Sequence, residues 1–329
     1  MSEQAIRVSL SDIQRPVAAE LDRVAAELRR IIAADFPIIA DANDHLLRMK
    51  GKLFRPTLLL LSHQAAGGGD ARVVTLAAVV ELIHLATLVH DDSVDHSALR
   101  RGMPTLNALF SHQVAVIMGD YLYSRAIIEL VRVGDLDPLR VFARVTNEMT
   151  IGEMRQLAVN DSLSFSEDDY YALIRSKTAS LMSAACEVGS IAGASNHREA
   201  LIRYGDALGM AFQIADDLID YTEAQETTGK PTGLDLKEHK VTLPLIAALR
   251  VMTPAERSKV NALFSNANPS DSEVADVIRI VTANGGLEYA REKGAIFAQQ
   301  AREALAGLPD TVARRALLES ISYVMERHA

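Results

Sequence analysis

The chain has 329 residues, 49% of them hydrophobic, with 34 Lys and Arg against 43 Asp and Glu and a formal net charge of −9. That charge excludes a nucleic-acid binder that works by neutralising phosphates, and the apolar share is ample for a core. A single cysteine, Cys186, excludes an internal disulfide and points to a reducing compartment; within Met182-Ser183-Ala184-Ala185-Cys186 it reads as a small buried hydrophobe.

Met1-Ser2-Glu3-Gln4 lacks the basic start and apolar run of a secretion signal. No apolar run reaches the roughly 18 to 20 residues that span a bilayer. The expectation is a soluble, cytoplasmic protein with at most peripheral membrane contact. Val17, Leu21, Val24 and Leu28 recur at helical spacing and Pro37 interrupts, so residues up to about Asp44 read as two helices. Lys52 and Arg55 then open the apolar run Leu58 to Leu61. Cations are favoured at helix ends rather than starts, so this pair suggests an anion site. Gly67-Gly68-Gly69-Asp70 reads as a loop with Asp70 as N-cap. No Walker lysine follows it and no strand precedes it, so it is not a phosphate loop.

The next helix carries Glu81, His84, His90 and the acids Asp91, Asp92 and Asp95, and Arg100-Arg101-Gly102 follows one short loop later. Thr105 to Val133 reads as helix, ended by Gly134-Asp135-Leu136-Asp137-Pro138. Another helix carries Glu153 and Gln156. Ser166 caps a helix with Glu167, Asp168 and Asp169 in its first turn, and Lys177-Thr178 lies downstream among small residues. After the turn Gly193-Ala194-Ser195-Asn196 comes a helix with a second acid cluster, Asp216, Asp217 and Asp220. Glu226 to His239, with Gly229, Lys230, Pro231 and Gly233, is the least regular stretch and reads as a lid, with Lys240 just beyond. The last helices start at Thr253-Pro254, near Ser270 to Ser272, after Gly285-Gly286 and at Asp310-Thr311. No period-2 strand and no tandem repeat is visible, so residues 1–329 read as one all-α domain.

Each acid cluster has carboxylates at i, i+1 and i+4. In a helix, i and i+4 share a face, so Asp91 points with Asp95 and Asp216 with Asp220. Carboxylates among apolar residues need a positive partner. A hard cation of the Mg²⁺ kind takes one or two carboxylates plus substrate phosphates. Two such clusters facing across a cavity would clamp a Mg²⁺-bound diphosphate, and Arg100 and Arg101 offer forks that match phosphate oxygens. Glu81 and His84 also fit the Glu-x-x-His pattern of di-iron bundles, but the chain has no second such pair.

With these residues in this order, the chain resembles the trans-type prenyl diphosphate synthases (polyprenyl synthetases) over nearly its whole length. Gly51-Lys52-x-x-Arg55-Pro56 is similar to the family's first basic motif. Asp91-Asp92-x-x-Asp95 with Arg100-Arg101-Gly102 matches the first aspartate-rich motif, and Lys177-Thr178 the central lysine motif. Phe212-Gln213-x-x-Asp216-Asp217-x-x-Asp220 matches the second aspartate-rich motif. Gly229-Lys230-x-x-Gly233-x-Asp235-Leu236-x-x-x-Lys240-x-Thr242-Leu243-Pro244 matches the lid, except that His239 stands where the family usually has glycine. The departure bears on how stiff that turn is.

The resemblance implies a helical bundle of the isoprenoid synthase type with a central cavity, and a reaction in which an allylic diphosphate ionises and isopentenyl diphosphate attacks the cation. It implies Mg²⁺ held by Asp91 and Asp95 on one side and Asp216 on the other. Asp92, Asp217 and Asp220 complete the metal site by orienting ligands or binding metal-held water. Arg100, Lys177, Lys230 and Lys240 would hold the allylic diphosphate. Lys52, Arg55, His84 and Arg101 would hold isopentenyl diphosphate. Gln213 and Thr178 would lie near the reacting carbon, and the released diphosphate would take the proton. A homodimer is implied as well.

By the same resemblance, a side chain near Ala86, five residues before Asp91, sets the floor of the chain pocket. Short-chain relatives often carry Phe or Tyr there, and bacterial ones have two extra residues in the first aspartate motif. Both features are absent, which implies a long product of about C35 to C50, since pocket depth limits the ligand. Ala115 and Val116 lie on the next helix, and Ile83, Met118 or Tyr121 could still close the pocket. The alternatives are a geranylgeranyl or farnesyl diphosphate synthase, a terpene cyclase, or a non-catalytic partner subunit. A cyclase wants cation-stabilising aromatics, and this chain has no Trp and 5% aromatic residues. A partner subunit typically loses motif residues that are all present here.

Overall fold

Helix starts follow the side chains that can receive a free backbone N–H. Ser9, Ser111, Ser166, Thr253, Ser270 and Thr311 each accept one at an N-cap. In the computed structural model, which describes residues 8–49, 51–159, 163–193, 196–222 and 232–326, the N-terminal helices are α1 Leu10–Gln14, α2 Ala18–Ile32, α3 Pro37–Arg48, α4 Phe54–Ala65 and α5 Val73–Val94. A hairpin of β1 Leu99–Arg100 and β2 Met103–Pro104 follows. Then come α6 Leu106–Leu109, α7 His112–Val133, α8 Leu136–Val159, α9 Glu167–Ile174, a π-helical turn Arg175–Ala179, and α10 Ser180–Ala192. The chain continues as α11 Arg198–Thr222, α12 Leu234–Lys237, α13 Leu243–Leu249, α14 Pro254–Phe264, α15 Asp271–Ala283, α16 Gly286–Ala304 and α17 Val312–Met325.

The all-α reading holds, with local corrections. The hairpin pairs Leu99 with Pro104, and its turn uses left-handed backbone at Arg101 (φ 53°) and Gly102 (φ 73°), the geometry a two-residue hairpin needs. Asp70 does not cap α5. It accepts the Arg72 backbone N–H at 2.8 Å and binds the Arg72 guanidinium, leaving Arg72 at the N-cap. The helix expected from Thr105 is broken, because Ser111 restarts it as α7.

α5 also corrects the expectation that no segment is apolar enough to span a bilayer. By length and composition this helix qualifies, yet its most apolar window is 67% buried inside the bundle. A helix that is hydrophobic all round is buried from all sides. α5 packs on α2, α4, α7 and α10, while α11 packs on α10, α16 and the π-turn. The large apolar core surrounds α5, and a second core lies among α13 to α16. α11 joins the two, giving Tyr204, Leu208 and Ala211 to the first and Met210, Ile214 and Leu218 to the second.

Glycines set the spacing at one functional seam. A Cβ on Gly205 would lie 2.6 Å from the Ser183 Cα, and one on Gly209 would lie 2.4 Å from the Ala179 Cα. Their absence lets α11, which carries the second acid cluster, press directly against α10 and the Lys177 turn.

Candidate active site

Asp91, Asp92 and Asp95 stand in the last turn of α5 and at its C-cap, where the helix dipole disfavours negative charge. Each is handled differently. Asp92 is buried and grips Arg100 from the hairpin: Nε lies 2.8 Å from both carboxylate oxygens and Nη2 lies 2.7 Å from Oδ1. Burial, helped by the Glu153 carboxylate, pushes the Asp91 carboxyl up to about 7 against the pull of Lys177. Asp95 is exposed.

The basic motif opens α4, and its residues meet α5 one helix turn and more below the acids. Arg55 Nη1 lies 3.1 Å from His84 Nε2. Burial, then Arg55, Arg101 and Arg100, holds His84 well below its usual value, so the ring is neutral and accepts this bond. Burial draws Arg55 down to about 10 although Glu81 opposes it, so it remains a cation at neutral pH, and its Nε is buried with no partner. Glu81 is buried between Arg55 and Arg101, and burial outweighs both cations to raise its carboxyl. Arg101 donates to the Met49 carbonyl at 2.8 Å. Lys52 lies apart, exposed, 3.5 Å from the Tyr323 hydroxyl.

The π-turn presents Lys177 and Thr178 to the cleft in opposite roles. Lys177 Nζ lies 2.5 Å from Glu153 Oε1 and 2.6 Å from Gln156 Oε1, both on α8. Thr178 donates to Gln213 at 2.7 Å, and Gln213 donates to Asp217 at 2.8 Å. Tyr170 closes this chain with a hydrogen bond of 2.6 Å to the other Asp217 oxygen. Burial, then Asp235, drives the Asp217 carboxyl far above the usual range, against these two donors.

Asp220 turns to the backbone. Its oxygens accept the Leu234 and Asp235 N–H groups at 3.0 and 3.1 Å, and its carbonyl accepts Gly233 N–H at 2.7 Å. It therefore fastens the start of α12. Burial and Asp220 push Asp235 up to about 7, with Lys240 opposing. Burial draws Lys240 down, but Asp235, Glu238 and also Asp95 outweigh it and hold the ammonium above its usual value. Lys240 thus feels charge from Asp95 of the first aspartate motif and from Asp235, whose backbone N–H is accepted by Asp220 of the second. Asp216 is exposed on α11. Lys230, with Gly229 and Pro231 of the lid motif, lies outside the described residues.

Among the described residues, no three His, Cys, Asp or Glu side chains are grouped to hold a metal by themselves. The donor set nevertheless suits a Mg²⁺-like ion, which needs only one or two carboxylates and fills its shell with water and phosphate. Asp91 and Asp95 offer oxygens from α5, and Asp216 from α11. Asp92 and Asp220 are engaged by Arg100 and by backbone, and Asp217 by Tyr170 and Gln213. Below the acids, Ala86 is fully buried with Ala115, Ile83 and Met118. Tyr121 is drawn away, its hydroxyl 3.1 Å from the Ile32 carbonyl, and Val116 is exposed. A cavity of about 320 Å³ lies by the start of α5 among Glu20, His63 and Gly68, away from this chemistry.

Sequence reading assigned no role to Glu81, Glu153, Gln156, Tyr170 or Tyr323. Glu81 and Glu153 carried a signal: each is an acid with uncharged residues on both sides in the sequence. Tyr170 and Tyr323 carried none, since their roles arise from contacts 47 and 271 residues apart in sequence.

A family model described as polyprenyl synthetase matches residues 36–281. An all-trans-nonaprenyl-diphosphate synthase (geranyl-diphosphate specific) of Rhodobacter capsulatus is 37% identical over 96% of this chain and 97% of its own length. A short chain isoprenyl diphosphate synthase of Methanothermobacter thermautotrophicus is 34% identical over 87% of this chain and 89% of its own. Among solved structures, a polyprenyl synthase from Caulobacter crescentus complexed with calcium and isoprenyl diphosphate superposes with a TM-score of 0.93 at 33% identity, covering 98% of this chain and 99% of that one.

Proposed function

The chain belongs to the polyprenyl synthetase family and is a trans-prenyltransferase, and from this premise we propose that it joins isopentenyl diphosphate to an allylic diphosphate, with Mg²⁺, to build a long all-trans chain of about C35 to C50. The observation that carries the site assignment is Lys240, which senses Asp95 from one motif and Asp235 beside the other. That lysine supports one shared space for the first acid cluster and for α12, whose start Asp220 of the second cluster fastens.

In this reading Asp91, Asp95 and Asp216 would hold the ion, which would supply Lewis-acid polarisation of the departing oxygens. Arg100, Lys177, Lys240 and Lys230 bind the allylic diphosphate. Asp92 keeps the Arg100 fork in place. Asp217 and Asp220 act one step back, orienting Gln213 and fastening α12. Lys52, Arg55, His84 and Arg101 bind isopentenyl diphosphate, and neutral His84 aims the Arg55 guanidinium. Fixed cations of this kind stabilise charge where it develops. Thr178 and Gln213 flank the reacting carbon, and the departing diphosphate carries the proton away. The whole chain works as one cytoplasmic catalytic domain, paired as a homodimer through α7 and α8. The exposed side chains Ile117, Ile127, Val131, Met154 and Leu157 favour that pairing, being 50% to 63% exposed on those two helices.

Alanine rather than an aromatic residue at position 86 supports the long product. Relatives of similar identity carry long-chain and short-chain names, so product sizing is the deciding experiment. The protein is incubated with labelled isopentenyl diphosphate and farnesyl or geranylgeranyl diphosphate, with Mg²⁺ or EDTA. A Mg²⁺-dependent ladder of long products is expected. A stop at geranylgeranyl length would overturn the floor argument, and cyclised or untouched primer would overturn elongation itself.

A further inference from the structure

The motif lysine Lys177 does not point alone into the cleft. It is held by two acceptors on α8, three residues apart: Glu153 Oε1 at 2.5 Å and Gln156 Oε1 at 2.6 Å. The pair is largely shielded, with side-chain exposure of 25% for Lys177 and 34% for Glu153, so it is not an ordinary solvated surface ion pair. The backbone on both sides is shaped for this contact. Lys177 occupies the centre of the π-turn Arg175–Ala179, an irregularity that re-aims side chains and recurs at functional sites. Opposite it, α8 has Gly152, where a Cβ would lie 2.8 Å from the Ser176 Cβ and 3.4 Å from the Lys177 Cγ. Glycine at that point lets the turn close onto α8.

A lysine ammonium has three N–H donors. Two are taken by Glu153 and Gln156, which fixes the direction of the third. We propose that Glu153 is a positioning residue that, with Gln156, aims the Lys177 ammonium so that its remaining N–H meets the allylic diphosphate. An unheld lysine is a flexible point charge on a four-carbon stem. A held one has already given up that freedom before substrate arrives, which is the advantage of preorganisation. Glu153 touches no reacting atom in this scheme and acts through Lys177.

The proposal rests on the assignment of Lys177 to the allylic diphosphate, so two readouts are needed. The first is the acylation rate of Lys177 in the resting full-length enzyme, followed by mass spectrometry. Glu153→Ala is expected to raise it about tenfold by freeing the amine, and Glu153→Gln, which keeps an acceptor, to raise it less. An unchanged rate would overturn the cradle. The second is steady-state kinetics. Glu153→Ala should raise the allylic KM about tenfold while leaving the isopentenyl KM in place, with partial rescue in Glu153→Gln. In a Lys177→Ala background the Glu153→Ala effect should vanish. Equal rises in both KM values, or effects that multiply in the double variant, would overturn the proposal. If Lys177→Ala itself leaves the allylic KM unmoved, the substrate assignment of Lys177 fails, and the labelling result separates that failure from a failure of the cradle.

Discussion

Asp92 and Asp217 hold the same place in their motifs, and both are buried, at 6% and 5% exposure. Their surroundings are opposite. Asp92 meets a full guanidinium through three contacts of 2.7 to 2.8 Å, so the first cluster carries its own counter-charge. Asp217 meets a phenol and an amide, with Asp235, Asp216 and burial all pressing against its ionisation. The α11 side is thus electrostatically unfinished until cations arrive, while the α5 side is partly finished by the hairpin. Identical spacing in sequence specifies which face the acids share. It does not specify which of them is left to receive a ligand.

The largest expected effect tests what the two sides have in common. Asp91→Ala and Asp216→Ala should each lower turnover roughly 10³-fold, equivalent to about 4 kcal/mol of transition-state stabilisation. Circular dichroism and hydrodynamic size should remain those of the wild type. Wild-type-like turnover in both would end the two-sided clamp. The next effect separates the sides. Asp92→Asn strips Arg100 of its bidentate partner and should cost about 1 to 2 kcal/mol, seen as a clear fall in melting temperature. Asp217→Asn keeps an acceptor for Gln213 and gives Tyr170 a donor, while removing a carboxyl whose ionisation burial and Asp235 oppose. Metal-free stability should hold or rise. If Asn at both positions is equally damaging, the contrast between the sides is wrong.

A smaller effect follows from protons. Asp91 and Asp235 both stand near 7 in the folded protein, raised mainly by burial. A carboxyl raised in this way contributes stability below its unfolded value and loses it as pH rises through the folded value. For these two groups the window runs from about 4, where the unfolded chain titrates, to about 7. The metal-free melting temperature should therefore decline across that window, and Mg²⁺ should raise it more at pH 8 than at pH 6, because the ion favours the ionised forms. Calorimetry of Asp91→Asn combined with Asp235→Asn should show a flatter metal-free slope. An unchanged slope would remove these two acids as its source.

The helices were legible because caps and apolar spacing are local: Ser166, Thr253, Ser270 and Thr311 start the helices that their chemistry announces. The hairpin was not, because two-residue strands are too short to show alternation, and its signal was only Arg101-Gly102 in left-handed backbone. Asp70 failed as a cap because a neighbouring arginine competes for its carboxylate. α5 looked too short on apolar residues because Glu81, His84 and His90 interrupt the run, yet each meets a charged partner. The site's residue types were visible in the motifs. The division of labour among them was not, since Asp220 to α12 and Glu153 to Lys177 are tertiary contacts.

The smallest effect concerns the one departure within the lid motif, where the two sides converge on Lys240. His239 has φ 56°, a left-handed conformation that costs a side-chain-bearing residue roughly 1 to 2 kcal/mol. Its ring offsets part of that by stacking on Phe264 at 5.4 Å and placing Nε2 3.1 Å from the Asn266 carbonyl. His239→Ala keeps the strain and loses the ring, whereas His239→Gly loses both. Melting temperature should therefore be lower in the alanine variant than in the glycine variant, the two about 1 kcal/mol apart. The next residue reports the functional side of the same trade. Lys240 N–H bonds the Asp235 carbonyl at 2.7 Å, and its hydrogen exchange should quicken in His239→Gly if the anchored ring is what stiffens the turn. Alanine as stable as glycine would show that the left-handed strain is relieved elsewhere, and unchanged exchange would show that the turn is held by Asp235 alone.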